Sequence, residues 1–368
     1  MTSAQQGLLS SIRDNLWGKI EQRSLAIDVL AEAKNQAIIP LVCSDNPEVV
    51  HYAVHSIRVL YEQDTLVNLL REAAIPAVIL KGTSAAIYYH DPFRRTMGDI
   101  DLLVPPEHFD QTLELLLQKG YVCEDDKEGV RHTILLHGGI AIELHRRFSS
   151  DGIDVEHYIQ HGMEHPMTAE VDGHRFPMLP PLENGLVLLA HVAQHLRNGL
   201  GLRQMIDWMM YVHAQLADEF WETAFRSAAA DCGLETLAIT ATRLCQKYLG
   251  LPDSITWCDG ADDKLVDDLL ENLLVTGNFG HVHGTGSSVE TVATNIKRTG
   301  LFRYLQQQGE HNWKAYQEHK ALKPLCWAYQ IGRYIHRGLG TGRSSIQLAE
   351  DYSRSQARYD LLTRLGID

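Results

Sequence analysis

The hydrophobic period changes twice along the chain, and that switch limits its architecture more than any other feature. From about Gln5 to Leu70, apolar residues recur at helical spacing. Val50, Val54, Ile57 and Leu60 show it, followed by Leu66, Leu69 and Leu70. Pro76 interrupts, and between Ile75 and Glu143 the pattern becomes mixed. AVILKG is a short apolar run ending in Gly, the form of a buried strand running into a turn. TSAAIYYH reads as a short helix with Thr83 or Ser84 near its start. DIDLLV alternates and then turns fully apolar, as a central strand does. Pro105 to Lys119 forms an amphipathic helix that stops at Gly120. YVCED, HTILLHG and IAIELHRRF are further strands, the last two joined through Gly138-Gly139. After Pro180-Pro181 the helical period returns, with PLENGLVLLAHVAQHLRN and LRQMIDWMMYVHAQL as candidate core helices.

This order predicts an α+β protein. A helical segment spans 1–72, a small mixed β-sheet core 73–180, and a helical carboxyl-terminal domain 181–368. The length of 368 residues suits about two domains. With 45% hydrophobic and 22% charged residues, the chain has ordinary globular composition, which excludes wholesale disorder. A net charge of −14 argues against non-specific nucleic-acid binding by the whole surface. The amino terminus lacks the pattern of a secretory signal, and no stretch has the apolar length to span a bilayer. The six cysteines form no C-x-x-C pair, so neither a zinc ribbon nor a redox pair is indicated. Free thiols in a reducing cytoplasm are the expectation.

The chemistry concentrates in LKGTSAAIYYHDPFRRTMGDIDLLV. Asp99 and Asp101 stand two apart on a predicted strand, so their side chains leave one face. Neighbouring carboxylates repel and raise a pKa unless a cation joins them. Mg²⁺ (or Mn²⁺) takes hard oxygen ligands, commonly one or two carboxylates plus substrate phosphates. Upstream, the backbone N–H groups of Gly82, Thr83 and Ser84 at a helix start would suit a phosphate. Lys81 and Arg95 are candidate positive charges beside it. A third carboxylate on an adjacent strand is expected, as ligand or base, and Glu143 in IAIELH is the choice.

Leu80, Gly82 and Thr83, followed by Asp99, Ile100 and Asp101, resemble the DNA polymerase β-like nucleotidyltransferase superfamily. Lys81 directly before Gly82 and a longer gap to Asp99 depart from many members. That form looks like the bacterial group of uncharacterised nucleotidyltransferases, where the third acidic residue is followed two positions on by His. Glu143 and His145 fit that placement, with Glu where Asp is more usual. The resemblance is strongest over Ile75 to Phe148. It implies transfer of a nucleoside monophosphate from a nucleoside triphosphate to an acceptor. That acceptor could be a small molecule, a peptide, a protein or an RNA end. Asp99, Asp101 and Glu143 would be the catalytic and metal-binding residues, and Lys81, Gly82, Thr83, Ser84 and Arg95 would bind the nucleotide.

His191 and His195 share one helical face, a spacing that also serves zinc. The Glu of H-E-x-x-H is missing, so cleft-lining histidines are preferred to a zinc hydrolase, and the resemblance places this helix beside the cleft. Arg203 and Asp207, four apart, suggest a helical ion pair. TGNFGHVHGTGSS and GTGRSS lack the G-K-[ST] ending of a phosphate loop, and for His281 and His283 a mobile surface loop is preferred to metal binding. Nine Lys or Arg lie between Lys297 and Arg343 against Glu310 and Glu318. They form either a solvated helical face or a basic wall for phosphates or an acidic partner. A non-catalytic adaptor that keeps the nucleotidyltransferase fold is the alternative to an enzyme. The sequence leaves the oligomeric state open.

Overall fold

The computed structural model describes residues 1–18, 25–124, 132–149, 152–197, 199–277, 296, 299–338 and 356–367. The chain divides into two compact units. One comprises Met1–Val282 with Leu365–Ile367, and the other His283–Arg364 with Asp368. Both sequence-derived boundaries, at 72/73 and 180/181, fall inside the first unit.

The first unit opens with helices. Helix α1 (Ser3–Trp17) starts on a capping box, in which Thr2 and Gln5 satisfy each other's backbone N–H groups. Helices α2 (Ile27–Asn35) and α3 (Ile39–Val42) follow. Helix α4 (Pro47–Glu72) begins where Asn46 accepts from the Glu48 N–H at 2.8 Å and Pro47 fits the first turn. Its buried stripe is Ser56, Val59, Leu60, Gln63, Leu66 and Leu70. Val50, Val54 and Ile57, read as part of that stripe, are 64%, 52% and 43% exposed. Apolar spacing gave the helix but not its inward face. Two polar residues lie on that face, and Gln63 does so because its Oε1 accepts from the Thr83 hydroxyl.

Strand β1 (Val78–Leu80) leads through a sharp turn into the short helix α5 (Gly82–Ala86). Strand β2 (Ile100–Leu103), helix α6 (Phe109–Gln118), and strands β3 (Val122–Cys123), β4 (His132–His137) and β5 (Ile140–His145) complete a five-stranded sheet. Its order is β1-β2-β5-β4-β3, with β2 and β5 parallel and the other pairs antiparallel. The fold class is thus α+β with a small mixed sheet. Alternation decides the two faces. Ile100, Leu102, Ile142 and Leu144 enter a core shared with Leu60 and Leu66 of α4 and Phe109 and Leu116 of α6. The intervening positions, Asp101, Glu143 and His145, point the other way.

Between Phe148 and Pro180 the structure adds elements absent from the sequence reading. These are helix α7 (Glu156–Glu164) and a hairpin of β6 (Met167–Val171) and β7 (His174–Met178). The signal was present: Asp172 and Gly173 both have positive φ, as a two-residue hairpin turn requires. Helices α8 (Pro181–Leu196) and α9 (Leu202–Gln215) then pack closely. A Cβ on Gly185 would come within 2.3 Å of the Tyr211 ring, so only glycine permits that approach. Further helices include Glu235–Leu244 and Asp263–Thr276. No described helix is long and apolar enough to cross a membrane.

In the second unit, helices Leu301–Asn312 and Cys326–Gly338 are described. Arg303, Lys314, Lys320 and Lys323 are exposed there, as on a solvated helical face. His281, His283, Lys297, Arg298 and the GTGRSS segment lie outside the described residues.

Candidate functional site

Strand register builds the centre of the site. Asp101 and Glu143 are direct partners on the parallel strands β2 and β5, and Leu103 pairs with His145. Side chains two apart on a strand share a face, so His145 joins the two carboxylates. Its Nε2 lies 3.0 Å from Asp101 Oδ1 and 3.3 Å from Glu143 Oε2. Ligand atoms of Asp101, Glu143 and His145 all fall within 4.8 Å of one another. Asp101 and His145 are buried and Glu143 is partly exposed. Asp99, one residue ahead of β2, is exposed and stands outside this cluster.

Lys81 closes the centre from β1. Its Nζ lies 2.6 Å from Asp101 Oδ1 and 5.7 Å from the Phe148 ring centroid. The backbone there is strained. Lys81 has φ 47° and ψ −143°, a conformation that favours glycine. Gly82 follows at φ 38°. This turn sets the lysine above the sheet end beside Asp101.

The carboxylate repulsion expected from sequence is met by the protein's own cations. Burial would raise the Glu143 carboxyl, but the His145 hydrogen bond and the charge of Lys81 hold it down at about 2. Burial would lower the His145 pKa, yet its bonds to Asp101 and Glu143 raise it instead. Burial acts against the Lys81 charge too, and Asp101, Glu143 and Asp99 overcome it.

The hydroxyls of Thr83 and Ser84 are turned into the protein. Thr83 donates to Gln63 Oε1, and Ser84 Oγ lies 2.8 Å from the Lys81 carbonyl oxygen. What this turn offers a ligand is therefore main chain. The first bond of α5 runs from the Ala85 N–H to the Lys81 carbonyl, after the amides of Gly82, Thr83 and Ser84. With five residues, α5 contributes little dipole.

Arg95 lies elsewhere than a free phosphate contact would. Its Nε and Nη2 each sit 2.8 Å from an oxygen of Asp207, a bidentate pair within buried surroundings. Tyr89 donates to the same carboxylate at 2.8 Å. The helical pair expected between Arg203 and Asp207 does not form, because Arg95 and Tyr89 already satisfy Asp207. Pairing across 112 residues leaves no local sequence signal.

His191 and His195 of α8 stack edge to face with centroids 4.4 Å apart. Burial, followed by neighbouring positive charge including Lys81 and Arg203, keeps both neutral. His195 is lowered to about 4 and His191 falls well below its ordinary value. Both feel the charges of Lys81 and Arg203, and neither belongs to a metal-ligand cluster among the described residues. Sequence reasoning missed the supports. His55 Nε2 lies 3.2 Å from the Gly98 carbonyl oxygen, and Asn184 reaches Ser84 and the Tyr88 hydroxyl. Helix α4 thus braces both loops of the site.

A cavity of about 700 Å³ lies on the other face of the sheet, lined by Leu70, Ile79, Leu102 and Phe176 among others, and contains none of these carboxylates. The donor set at Asp101 suits a divalent ion in chemistry, with two carboxylates and an imidazole converging from adjacent strands.

Among solved structures, the chain is similar to an antigenic nucleotidyltransferase-like protein from Paracoccidioides brasiliensis. The two share 14% identity over 54% of this chain and 96% of that one, with a TM-score of 0.33. No curated protein matches. Residues 24–250 match the family described as uncharacterised nucleotidyltransferase, a span that takes in the sheet, the Asp101 centre and helices α8 and α9, and the chain belongs to that family.

Proposed function

We propose that this protein is a metal-dependent nucleotidyltransferase that moves a nucleoside monophosphate from a nucleoside triphosphate to an acceptor. The observation that carries the reading is the register of β2 against β5, which sets Asp101 and Glu143 side by side with His145. Asp101, Glu143 and His145 would hold a Mg²⁺ or Mn²⁺ ion, with exposed Asp99 completing the set from the substrate side. Such an ion, when bound, would offset charge on the transferring phosphoryl group and the leaving pyrophosphate.

In the reaction an acceptor oxygen or nitrogen forms a bond to the α-phosphorus while the bond to the β-phosphate oxygen breaks. Pyrophosphate leaves, and the acceptor proton passes to a base. Glu143, held ionised down to about 2, is too weak a base near neutrality and suits the ligand role. Lys81 supplies positive charge beside Asp101 for the phosphates, and the Gly82, Thr83 and Ser84 amides line its turn. Arg95 shapes the wall through Asp207. Six free cysteines fit a reducing cytoplasm.

The test is calorimetric titration with each nucleoside triphosphate, with and without Mg²⁺, beside an Asp99→Asn/Asp101→Asn variant. Metal-dependent binding by the wild type, lost in the variant, is expected. Equal binding by both proteins would move the phosphate site away from these carboxylates. No binding to any nucleotide would favour an adaptor that keeps the fold without the chemistry.

A further inference from the structure

Arg203 has the wrong surroundings for a structural arginine. It sits in the first turn of α9, a 14-residue helix with no acidic residue there. A cation at that end opposes the helix dipole. Its expected partner, Asp207, is held by Nε and Nη2 of Arg95 and by Tyr89. No ion pair forms at Arg203 among the described residues. Among the described residues, Nη1 donates to the Thr96 carbonyl at 3.4 Å, and Nε is sealed from solvent without a partner. Burial, followed by the repulsion of Arg95, lowers its pKa from the ordinary value, while Asp207 and Asp99 oppose the shift. Desolvation, the helix dipole and the Arg95 charge work against a guanidinium in this place.

The side chain keeps partial access to solvent, and it lies at the site. A Cβ built on Gly98, the residue before Asp99, would stand 4.0 Å from Nη1. The charges of Lys81 and Arg203 both bear on His195, as do those of Asp101 and Glu143, so the two cations and the carboxylates border one site. A guanidinium with unused donors, facing a site with a second cation in Lys81, matches a ligand that carries several negative oxygens.

We propose that Arg203 binds the phosphate tail of the nucleotide, in the role that sequence spacing suggested for Arg95. The inference rests on the nucleotidyltransferase reading for the identity of the ligand, but the anion site can be tested separately. The probe is magnesium tripolyphosphate, titrated into the full chain as wild type, Arg203→Met and Arg203→Lys, with thermal unfolding of each protein without ligand.

Arg203→Met should unfold at the same temperature as wild type or higher, since it removes an unpaired charge. It should bind tripolyphosphate roughly 10- to 100-fold more weakly, the scale of one charged hydrogen bond. Arg203→Lys should recover part of that loss. An Arg203→Met protein that is less stable but binds tripolyphosphate as tightly as wild type would make the residue structural and overturn the proposal. So would a wild type that ignores tripolyphosphate. Tripolyphosphate binding lost in Arg203→Met, without binding of any nucleoside triphosphate, would uphold the anion site while removing the nucleotide from the reading. Nucleotide binding that depends on Asp99 and Asp101 but not on Arg203 would do the reverse.

Discussion

Arg95 and Arg203 show how far one residue's role depends on which carboxylate it reaches. Both arginines lie near Asp207, and the bidentate geometry from Arg95 leaves Arg203 without an ion pair. Breaking a buried pair leaves one charge uncompensated, which costs about 3–5 kcal/mol. Asp207→Asn should therefore lower unfolding free energy by that order in urea denaturation. A loss within about 0.5 kcal/mol, the range of an ordinary surface change, would mean the pair is not the anchor of this wall. At the centre of the site, Asp101 shares one oxygen between Lys81 and His145. The identities of those three residues were readable in the sequence, along with Glu143. Their mutual contacts were not, because each comes from a different strand or from a different position along one.

Among the elements, α4 carries the clearest lesson. Two apolar stripes run along it, Val50–Val54–Ile57 and Val59–Leu60–Leu66–Leu70, and only the second is buried. Leu66→Ala should cost about 2–5 kcal/mol, because it opens space in the core. Val54→Lys should change stability by no more than about 0.5 kcal/mol. Chemical denaturation of the two variants separates these outcomes, and a costly Val54→Lys would mean the first stripe is covered. The β6–β7 hairpin was legible in principle from Asp172-Gly173 between alternating residues. Helix α5 was foreseen, but the inward turn of the Thr83 and Ser84 hydroxyls was not, since it depends on Gln63 and on the Lys81 carbonyl.

Across the whole molecule, buried and half-buried histidines couple stability to pH. His195 takes a proton near 6.5 when unfolded, but burial and then the Lys81 and Arg203 charges delay this to about 4 in the folded chain. Between those values the unfolded state binds more protons, so stability present above 6.5 is lost as pH falls toward 4. His191 adds to the loss, while His145, raised by its carboxylates, acts oppositely and weakens the fold as pH rises above 6.5. The melting temperature should fall from pH 6.5 to pH 4.5, and His195→Gln should reduce the drop; an unchanged drop in the variant would exclude His195 as a source. The sequence by itself determined the α+β class, the order of elements up to Phe148, and Asp99, Asp101 and Glu143 as the candidate carboxylates. Local periodicity and short motifs are properties of adjacent residues, and they survive in a linear reading. Tertiary structure alone decided that Asp101 meets Glu143 and His145 while Asp99 stays exposed, that Arg95 takes Asp207, and that Arg203 is left facing the site. Each of those outcomes depends on strand register or on pairing between residues far apart in the chain, where one more favourable partner excludes the rest.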